Sequence, residues 1–321
     1  MESSVVDWLL EEANLSVRYR TLTELLDLSA SDPQVQRAKW QISTSEPVQK
    51  IFARMHPDSY WLYRGIGEGV DYAMSSSTHF VLAFLAELGM DRSDPRVAKA
   101  AERYLGLRAE QLKDATWIKV PDHQSGQSCL YAYNLRTFIR LGYRDDPRVQ
   151  ARVDTLLGDT RPDGGYLCRR GSFNARTKSC IRGTVKALTA FAELPELWGS
   201  VRCHDLVNYF LRRRVYYRTD RPDQIIRGEL TSTIFPFVIA AGLLEPLVAL
   251  SAMCYGSHPA LQPAWEMLES KKDAAGRYIL DWYPNSYFNP GPKKQANKWA
   301  TFYACLAIKQ KDRRSPLSKD S

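Results

Sequence analysis

The feature that most constrains the fold is an internal repeat of helical hairpins. In each copy a strongly apolar helix ends in a Leu-Gly or Leu-Pro turn, and a more polar helix begins after a short loop that contains proline. Gly89 and Gly142 lie 53 residues apart, and Pro95 and Pro147 lie 52 residues apart. Periods of this length are typical of stacked or closed arrays of one supersecondary unit. The period therefore predicts an all-helical chain built from hairpins of about 53 residues.

Local chemistry explains why each unit bends where it does. Glycine readily adopts the left-handed conformation that ends a helix, and proline after aspartate is tolerated in the first turn of the next helix. The stretch THFVLAFLAELG is apolar almost throughout, which predicts a helix buried on all sides. The stretch DPRVAKAAERYL has apolar residues at three- and four-residue spacing, which predicts one wet face. One buried and one amphipathic helix per repeat indicate a double-layered ring or solenoid.

Turns rich in glycine and aromatic residues join the polar helix of one unit to the buried helix of the next. Examples are RPDGGY at residues 161–166 and KDAAGRY at residues 272–278. This acid-glycine-aromatic turn resembles the repeats of squalene cyclases and protein prenyltransferase β-subunits, over Tyr60 to Ile308. The resemblance implies an α/α toroid, in which an inner ring of parallel helices lies inside an outer ring. We expect a HEAT-like helical hairpin in residues 1–55, the toroid in residues 56–308 and a disordered basic tail in residues 309–321.

The resemblance also implies an activity, that of a single-toroid enzyme of the prenyltransferase or terpene-cyclase kind. Its substrate would be an isoprenoid or another lipophilic small molecule. The DxDD motif of class II cyclases is missing, since the paired acids Asp145 and Asp146 precede Pro147 and are typical of a helix cap. Aromatic rings are predicted to line an apolar cavity or, alternatively, to fill the axis of the toroid. The expected substrate-binding rings are Trp117, Tyr131, Tyr133, Tyr166 and Trp282.

Three cysteines are the candidates for a metal site. Cys129 and Cys180 each open an apolar helical stretch, and Cys168 lies in the turn between them, so consecutive repeats would bring the three thiols to one rim. Thiolates favour zinc, whereas an iron–sulfur cluster is disfavoured because there is no compact cysteine run. His79 is the candidate fourth ligand, and His79 and Asp163 are the candidate catalytic residues. The alternative is that these cysteines are small apolar groups of a helical core.

Charge gives the chain a second interpretation. The net charge is +8, and part of the excess is local, at residues 212–214 and at Arg218, Arg221 and Arg227. Basic patches attract phosphates of any kind, including those of nucleic acids, although many such patches are only solvated surface. A non-catalytic helical-repeat scaffold that binds a protein or a phosphate-rich partner is therefore the rival hypothesis.

The most apolar window, Phe235 to Gly256, is long enough to suggest a membrane span. Pro236, Glu245 and Pro246 argue against a span, and a helix buried inside the fold is expected instead. The first residues carry acids and no long apolar run, so no signal peptide is predicted. Six cysteines are too few for a disulfide scaffold, and a cytoplasmic location is expected.

Overall fold

The computed structural model of the 321-residue chain describes residues 2–63, 67–68, 76–107, 122–124, 128–159, 161–167, 178–237, 240–283 and 288–313. These residues are mainly helical, as the repeat predicts. The helices are α1 (Ser3–Leu9), α2 (Leu15–Arg20), α3 (Pro33–Thr44), α4 (Glu46–Phe52), α5 (Thr78–Glu87), α6 (Pro95–Leu105), α7 (Ser128–Arg140), α8 (Pro147–Gly158), α9 (Ile181–Ala192), α10 (Val201–Leu211), α11 (Leu244–Ala252), α12 (Gln262–Glu269) and α13 (Lys298–Gln310). Two short antiparallel ribbons pair β1 (Leu62–Tyr63) with β2 (Gly67–Glu68) and β3 (Ile279–Leu280) with β4 (Gln295–Ala296).

The helices form two layers, which confirms the predicted α/α toroid. The inner layer contains α2, α5, α7, α9, α11 and α13, and consecutive members from α5 to α13 pack against one another. The ring closes where α13 packs against α2 and against the π-helical turn Thr21–Leu25 that continues α2. The outer helices α3, α6, α8 and α10 pack on α2, α5, α7 and α9, respectively. Every residue of α5 is buried, whereas α6 buries one face, as their sequences predict.

The boundaries of the hairpins follow the predicted local chemistry. Gly89 and Gly142 have φ angles of +90° and +91°, the left-handed region in which glycine carries no steric penalty. Asp94 and Asp146 cap α6 and α8 by accepting hydrogen bonds from the backbone N–H groups of the second helical residue. Proline occupies the first position of both helices. The repeat therefore encodes its own helix ends.

The aromatic turns tie successive hairpins together. In each of three turns the backbone N–H of the aromatic residue donates a hydrogen bond to a threonine hydroxyl on the following inner helix. The pairs are Trp61–Thr78 at 3.0 Å, Tyr166–Thr184 at 3.0 Å and Tyr278–Thr301 at 2.8 Å. The Tyr166 hydroxyl also donates to the carbonyl of Leu156 at the end of the preceding outer helix. The motif that carries the family resemblance therefore serves the fold, because it fixes the chain between two helices.

The N-terminal hairpin is joined to both ends of the ring. Arg20 of α2 donates to Glu87 of α5 at 2.9 Å and also to Tyr303 of α13. Lys298, at the start of α13, pairs with Glu11 at 2.9 Å. The division of the chain at residues 55 and 308 stays a prediction, since these contacts describe packing and give no boundary.

The apolar window before residue 256 differs from its prediction. Its helix, α11, covers nine residues only, and Phe235 to Phe237 form an irregular segment that enters the interior. Pro236 lacks a backbone N–H, so this segment cannot continue a helix. None of the described helices combines the length and apolar character that a membrane span requires.

Candidate ligand site at the rim of the toroid

The two ends of the toroid are built differently. From α5 onwards, connections from an inner to an outer helix have 6 to 9 residues, whereas those from an outer to the next inner helix have 22 to 32 residues. Because the helices alternate in direction, all the long connections meet at the end where the inner helices begin. We call this end the long-connection rim. Binding groups are concentrated on loops that a rigid scaffold positions, so this rim is where a ligand site is expected.

Side chains of the described residues pack across the middle of the ring. Phe235 stacks on Trp299 of α13, with ring centroids 4.3 Å apart and planes at 15°. Phe237 contacts Tyr303 of α13 at 4.5 Å, and its carbonyl accepts a hydrogen bond of 2.8 Å from Tyr133 of α7. Since α7 and α13 lie on opposite sides of the inner ring, Phe237 spans the axis. These described rings are packed against one another.

A network of buried charges lies beside these aromatic rings. Glu87 accepts hydrogen bonds from Arg20, Arg136 and Tyr303, which come from three different inner helices. Burial disfavours the charged carboxylate, but the three arginines nearby, Arg136, Arg140 and Arg20, hold the pKa of Glu87 well below its usual range. The carboxylate is therefore ionised and fully paired. Its geometry is that of a structural bridge across the ring.

A second buried pair joins α9 to α11. Lys186 donates to Glu245, and both side chains are 1% exposed. Burial lowers the pKa of Lys186 and raises that of Glu245, while each partner opposes the shift of the other. The Lys186 ammonium also lies 5.9 Å from the centre of the Tyr133 ring. Among the described residues, this pair therefore places charge next to Tyr133 in the interior of the ring.

The predicted substrate-binding aromatics that the structure describes have different surroundings, and their role stays a prediction. Tyr131 is fully buried and donates to Asp159 at 2.7 Å, and Tyr166 is fully buried in its repeat turn. Tyr133 lies on the filled axis. Trp282 differs, since it is 40% exposed at the long-connection rim. Trp117 lies outside the described residues.

The predicted metal and catalytic residues are only partly described. Cys129 is buried in α7 close to Gly183 of α9, and Cys180 lies at the start of α9. Within the described ranges no three His, Cys, Asp or Glu side chains are grouped closely enough to hold a metal ion. Cys168 lies outside these ranges, so the zinc site of three cysteines and the iron–sulfur alternative stay predictions. His79 is 1% exposed beside Phe80, with ring centroids 4.3 Å apart.

Asp163, the other catalytic candidate, lies at the rim and organises it. Its carboxylate accepts hydrogen bonds from the Ser179 hydroxyl at 2.5 Å and from the backbone N–H of Gly165 at 3.2 Å, and it lies 3.7 Å from the guanidinium of Arg213. Partial burial opposes ionisation, but the hydrogen bonds from Ser179 and Gly165 lower the pKa of Asp163. His79 is not among its partners. An ionised carboxylate held by these donors is suited to positioning Ser179 and Arg213.

Beside Asp163 is a pocket that we call the rim pocket. It is open to the surface, has a volume of about 240 Å³, and lies between the start of α9, the end of α10 and the connection that follows α10. Seven of the eleven described lining residues are charged or are serine or threonine. The lining residues are Lys178, Ser179, Cys180, Ile181, Tyr209, Arg213, Arg218, Thr219, Asp220, Ile226 and Arg227.

Four cations surround this pocket, and they are held in different ways. Arg213 lies over the Tyr209 ring, 3.6 Å from its centre, and donates to the carbonyl of Tyr209. Arg218 and Lys178 both pair with the exposed Asp220, at 3.1 Å and 3.4 Å. Arg227 is exposed and, in the described part of the chain, its side chain makes no hydrogen bond or ion pair. The pocket thus offers positively charged donors that its own carboxylates do not saturate.

Three ionisable groups in the described pocket lining have shifted pKa values, and the hydrogen bond with Asp220 raises that of Arg218. The hydrogen bond from Arg218 lowers the pKa of Asp220, so this carboxylate is ionised at neutral pH. Burial raises the pKa of Tyr209 to about 12, so its phenol is neutral. Sequence reasoning recognised Arg218 and Arg227 as a local excess of charge but did not assign them to a site. Their convergence with Lys178 depends on the packing of α9 against α10, which the repeat alone does not specify.

Comparisons with solved structures identify proteins that share the fold of this chain. No family model matches the sequence, and no curated protein matches it. A solved glycosyl hydrolase of family 88 from Bacteroides vulgatus is similar in structure, with a TM-score of 0.52 and 14% identity, over 94% of this chain and 91% of that one. A polysaccharide lyase is also similar, with a TM-score of 0.50 and 11% identity, over 97% of this chain and 98% of that one.

These neighbours overturn the family resemblance inferred from the sequence. They are α/α toroid enzymes of a different kind from prenyltransferases and squalene cyclases, so the assignment to that family and the isoprenoid activity drawn from it were wrong. The physical reason is that the acid-glycine-aromatic turn fixes helices to one another and so indicates the toroid rather than a reaction. The chain folds as an α/α toroid of the architecture seen in these two carbohydrate enzymes.

Proposed function

We propose that this protein binds and processes a carbohydrate at the rim pocket. The observation that carries the proposal is the chemistry of the pocket lining, in which guanidinium, ammonium, hydroxyl and carboxylate groups surround the Tyr209 ring. Sugars present many hydroxyl groups, which exchange hydrogen bonds with such side chains, and one apolar face, which packs on aromatic rings. The two structural neighbours are named as a glycosyl hydrolase and a polysaccharide lyase, which supports the same class of ligand.

The position of the pocket supports a role in ligand binding. It lies at the long-connection rim, while the centre of the toroid is occupied by Phe235, Phe237 and paired charges. An apolar substrate bound in this pocket would place its hydrocarbon groups beside exposed cations, with which hydrocarbon forms no hydrogen bonds. A polar ligand instead gains charge-assisted hydrogen bonds from the same groups.

The pKa values of the two carboxylates at the pocket indicate which roles each of them could have. Asp163 and Asp220 both have lowered pKa values, so each can accept hydrogen bonds from sugar hydroxyls or stabilise positive charge. Neither is poised as a general acid, because an efficient acid has a pKa near the working pH. Asp163 is therefore assigned to positioning, through Ser179 and Arg213.

A panel of neutral, uronic-acid and phosphorylated oligosaccharides tests the proposal. Binding to the full chain is measured by calorimetry, and cleavage by the release of reducing ends and by the ultraviolet absorbance of unsaturated sugars, which separates elimination from hydrolysis. Arg218→Gln removes a pocket cation, and Arg221→Gln makes the same change in the same segment outside the pocket lining. We expect Arg218→Gln to weaken binding about tenfold and Arg221→Gln to leave it unchanged. Absence of binding to every sugar, or equal effects of the two variants, would refute the proposal.

A further inference from the structure

The rim pocket contains more positive charge than its own carboxylates neutralise. Its lining includes the cations Lys178, Arg213, Arg218 and Arg227, but Asp220 is the one carboxylate in that lining. Asp163, just behind, lies 3.7 Å from Arg213. The nearby Glu229 accepts hydrogen bonds from Nε and Nη2 of Arg182, at 2.6 and 2.5 Å, so these two charges cancel, and Arg227 acts on Glu229 only through its charge. Among the described residues, the four lining cations therefore exceed the carboxylates Asp220 and Asp163 by two positive charges.

We infer that the rim pocket binds a phosphate monoester, the phosphorylated end of the sugar in the proposed function. A phosphate monoester carries a charge of about −1.5 to −2 at pH 7, which matches the unneutralised charge of the pocket. A sugar carboxylate or a sulfate ester carries a single negative charge and would leave one cation unpaired. The inference depends on the proposed function only for the identity of the group that bears the phosphate.

The arrangement of donors suits a tetrahedral anion. Guanidinium groups present several N–H donors in a fixed plane and are more weakly hydrated than ammonium groups, so three of them around one pocket favour phosphoryl oxygens. Arg213 is already held in place by the Tyr209 ring and carbonyl, so ordering it on binding costs little entropy. Arg227 is exposed and makes no hydrogen bond or ion pair in the described part of the chain, and Glu229, on which its charge acts, is already bonded to Arg182.

The floor of the pocket adds a favourable backbone contribution. Ile181, the first residue of the 12-residue helix α9, lines the pocket, and the side chain of the N-cap residue Cys180 does not cap the helix. The N–H groups of a first helical turn favour anions. The outer helices α6, α8 and α10, by contrast, have Asp94, Asp146 and Ser200 as side-chain caps.

The charge of the ligand, rather than that of the pocket, should set the pH dependence. No histidine lines the pocket, and Asp163 and Asp220, with lowered pKa values, stay ionised in weak acid. Tyr209, with a pKa raised to about 12, stays neutral. The second pKa of a phosphate monoester is about 6, so its charge falls as the pH is lowered through that value. Affinity should fall with it.

Two esters of identical shape provide the test. Hexose 6-phosphate and hexose 6-sulfate are titrated into the full chain, with the free hexose and inorganic phosphate as further probes. We expect the phosphate ester to bind at least about tenfold more tightly than the sulfate ester, equivalent to about 1.4 kcal/mol. This preference should shrink between about pH 7.5 and pH 5.5, while sulfate ester binding stays constant. Arg227→Gln should remove most of the preference, whereas Arg221→Gln should retain it.

The outcomes separate this inference from the proposed function. Equal affinity for the two esters, or loss of the preference in Arg221→Gln as well as in Arg227→Gln, overturns the phosphate site. Binding of unphosphorylated oligosaccharides without any gain from phosphate also overturns it, yet leaves the proposed function standing. Equal binding of inorganic phosphate and hexose 6-phosphate, with no neutral or uronic-acid oligosaccharide of the panel bound, upholds the phosphate site and counts against the proposed function.

Discussion

The axis and the rim of this toroid are both rich in arginine, but they use it in opposite ways. On the axis, the side chains of Arg20 and Arg136 are 2% and 12% exposed, and each is paired with Glu87. At the rim, the side chain of Arg218 is 37% exposed, and Arg227 is exposed and makes no hydrogen bond or ion pair among the described residues. Arginine side chains are therefore fixed by buried ion pairs on the axis and accessible to a ligand at the rim.

This difference shows what each region does for the molecule. A buried charge must be paired, because the cost of removing it from water is recovered only by good geometry and complete hydrogen bonding. Glu87 meets that condition with groups from α2, α7 and α13, so it links the first and last hairpins of the ring. The rim charges are solvated and partly unneutralised. They contribute little to stability but can gain a counterion from a ligand.

The largest effect on stability is expected from neutralising Glu87, which tests whether the axial arginines depend on this carboxylate. Glu87→Gln keeps the shape of the side chain but leaves Arg20 and Arg136 without their shared carboxylate. Removing one partner of a buried ion pair typically costs about 3–5 kcal/mol. We expect the free energy of unfolding, measured by urea titration, to fall by about 3 kcal/mol, since Glu24 and Glu193 still pair with the arginines.

The matched control is Glu102→Gln. Glu102 pairs with Arg148 at 2.8 Å, and its side chain is 52% exposed. Exposed pairs of this kind contribute about 0–1 kcal/mol, so this variant should unfold almost like the wild type. If the two variants lost the same free energy of unfolding, the axial network would have no special role in closing the ring.

The architecture could be predicted from the sequence because its signals are local. Gly89, Gly142 and the Asp-Pro pairs fix the helix ends, and the apolar and amphipathic patterns separate the inner layer from the outer one. The partners of Arg20 could not be predicted, because Glu87 and Tyr303 lie 67 and 283 residues away. Such pairing depends on closure of the ring, which no local pattern records.

The candidate site was harder to predict for the same reason. Asp163 was recognised as a candidate within its repeat turn. Its partner Ser179 lies 16 residues away, however, and its ion pair with Arg213 joins the connection before α9 to the connection after α10. The cysteines drew attention because they open helices, and the aromatic turns suggested a reaction because related turns occur in other toroids. Both signals concern where helices begin. Chemistry at the rim depends on which side chains converge there.

A second test sharpens the comparison within the axis itself. Lys186→Met leaves Glu245 buried without its cation, and Glu245→Leu leaves Lys186 without its anion. We expect each single variant to lose about 3 kcal/mol of unfolding free energy and the double variant to lie within about 1 kcal/mol of the wild type. The measurement is a double-mutant cycle by urea unfolding.

The stability lost in Lys186→Met should also depend on pH, in a direction that the pKa of Glu245 predicts. Burial raises the pKa of Glu245 even with Lys186 present, and losing that cation raises it further. A carboxyl group with a raised pKa in the folded state stabilises the fold below its ordinary pKa and loses that contribution as the pH rises through the raised value. The penalty of Lys186→Met should therefore be larger at about pH 8 than at about pH 5. A penalty that is independent of pH would mean that Glu245 does not titrate in the variant.

The smallest expected effects lie within the rim pocket, where stability should follow burial from one arginine to the next. The side chain of Arg213 is 13% exposed and packed on Tyr209, so Arg213→Gln should cost about 1 kcal/mol through the lost cation–π contact and packing. Arg227 is exposed and unpaired within the described chain, so Arg227→Gln should change the unfolding free energy by less than about 0.5 kcal/mol. Urea unfolding of both variants gives the comparison. A loss at Arg227 as large as that expected at Glu87 would place this arginine among the structural charges and remove the contrast between rim and axis.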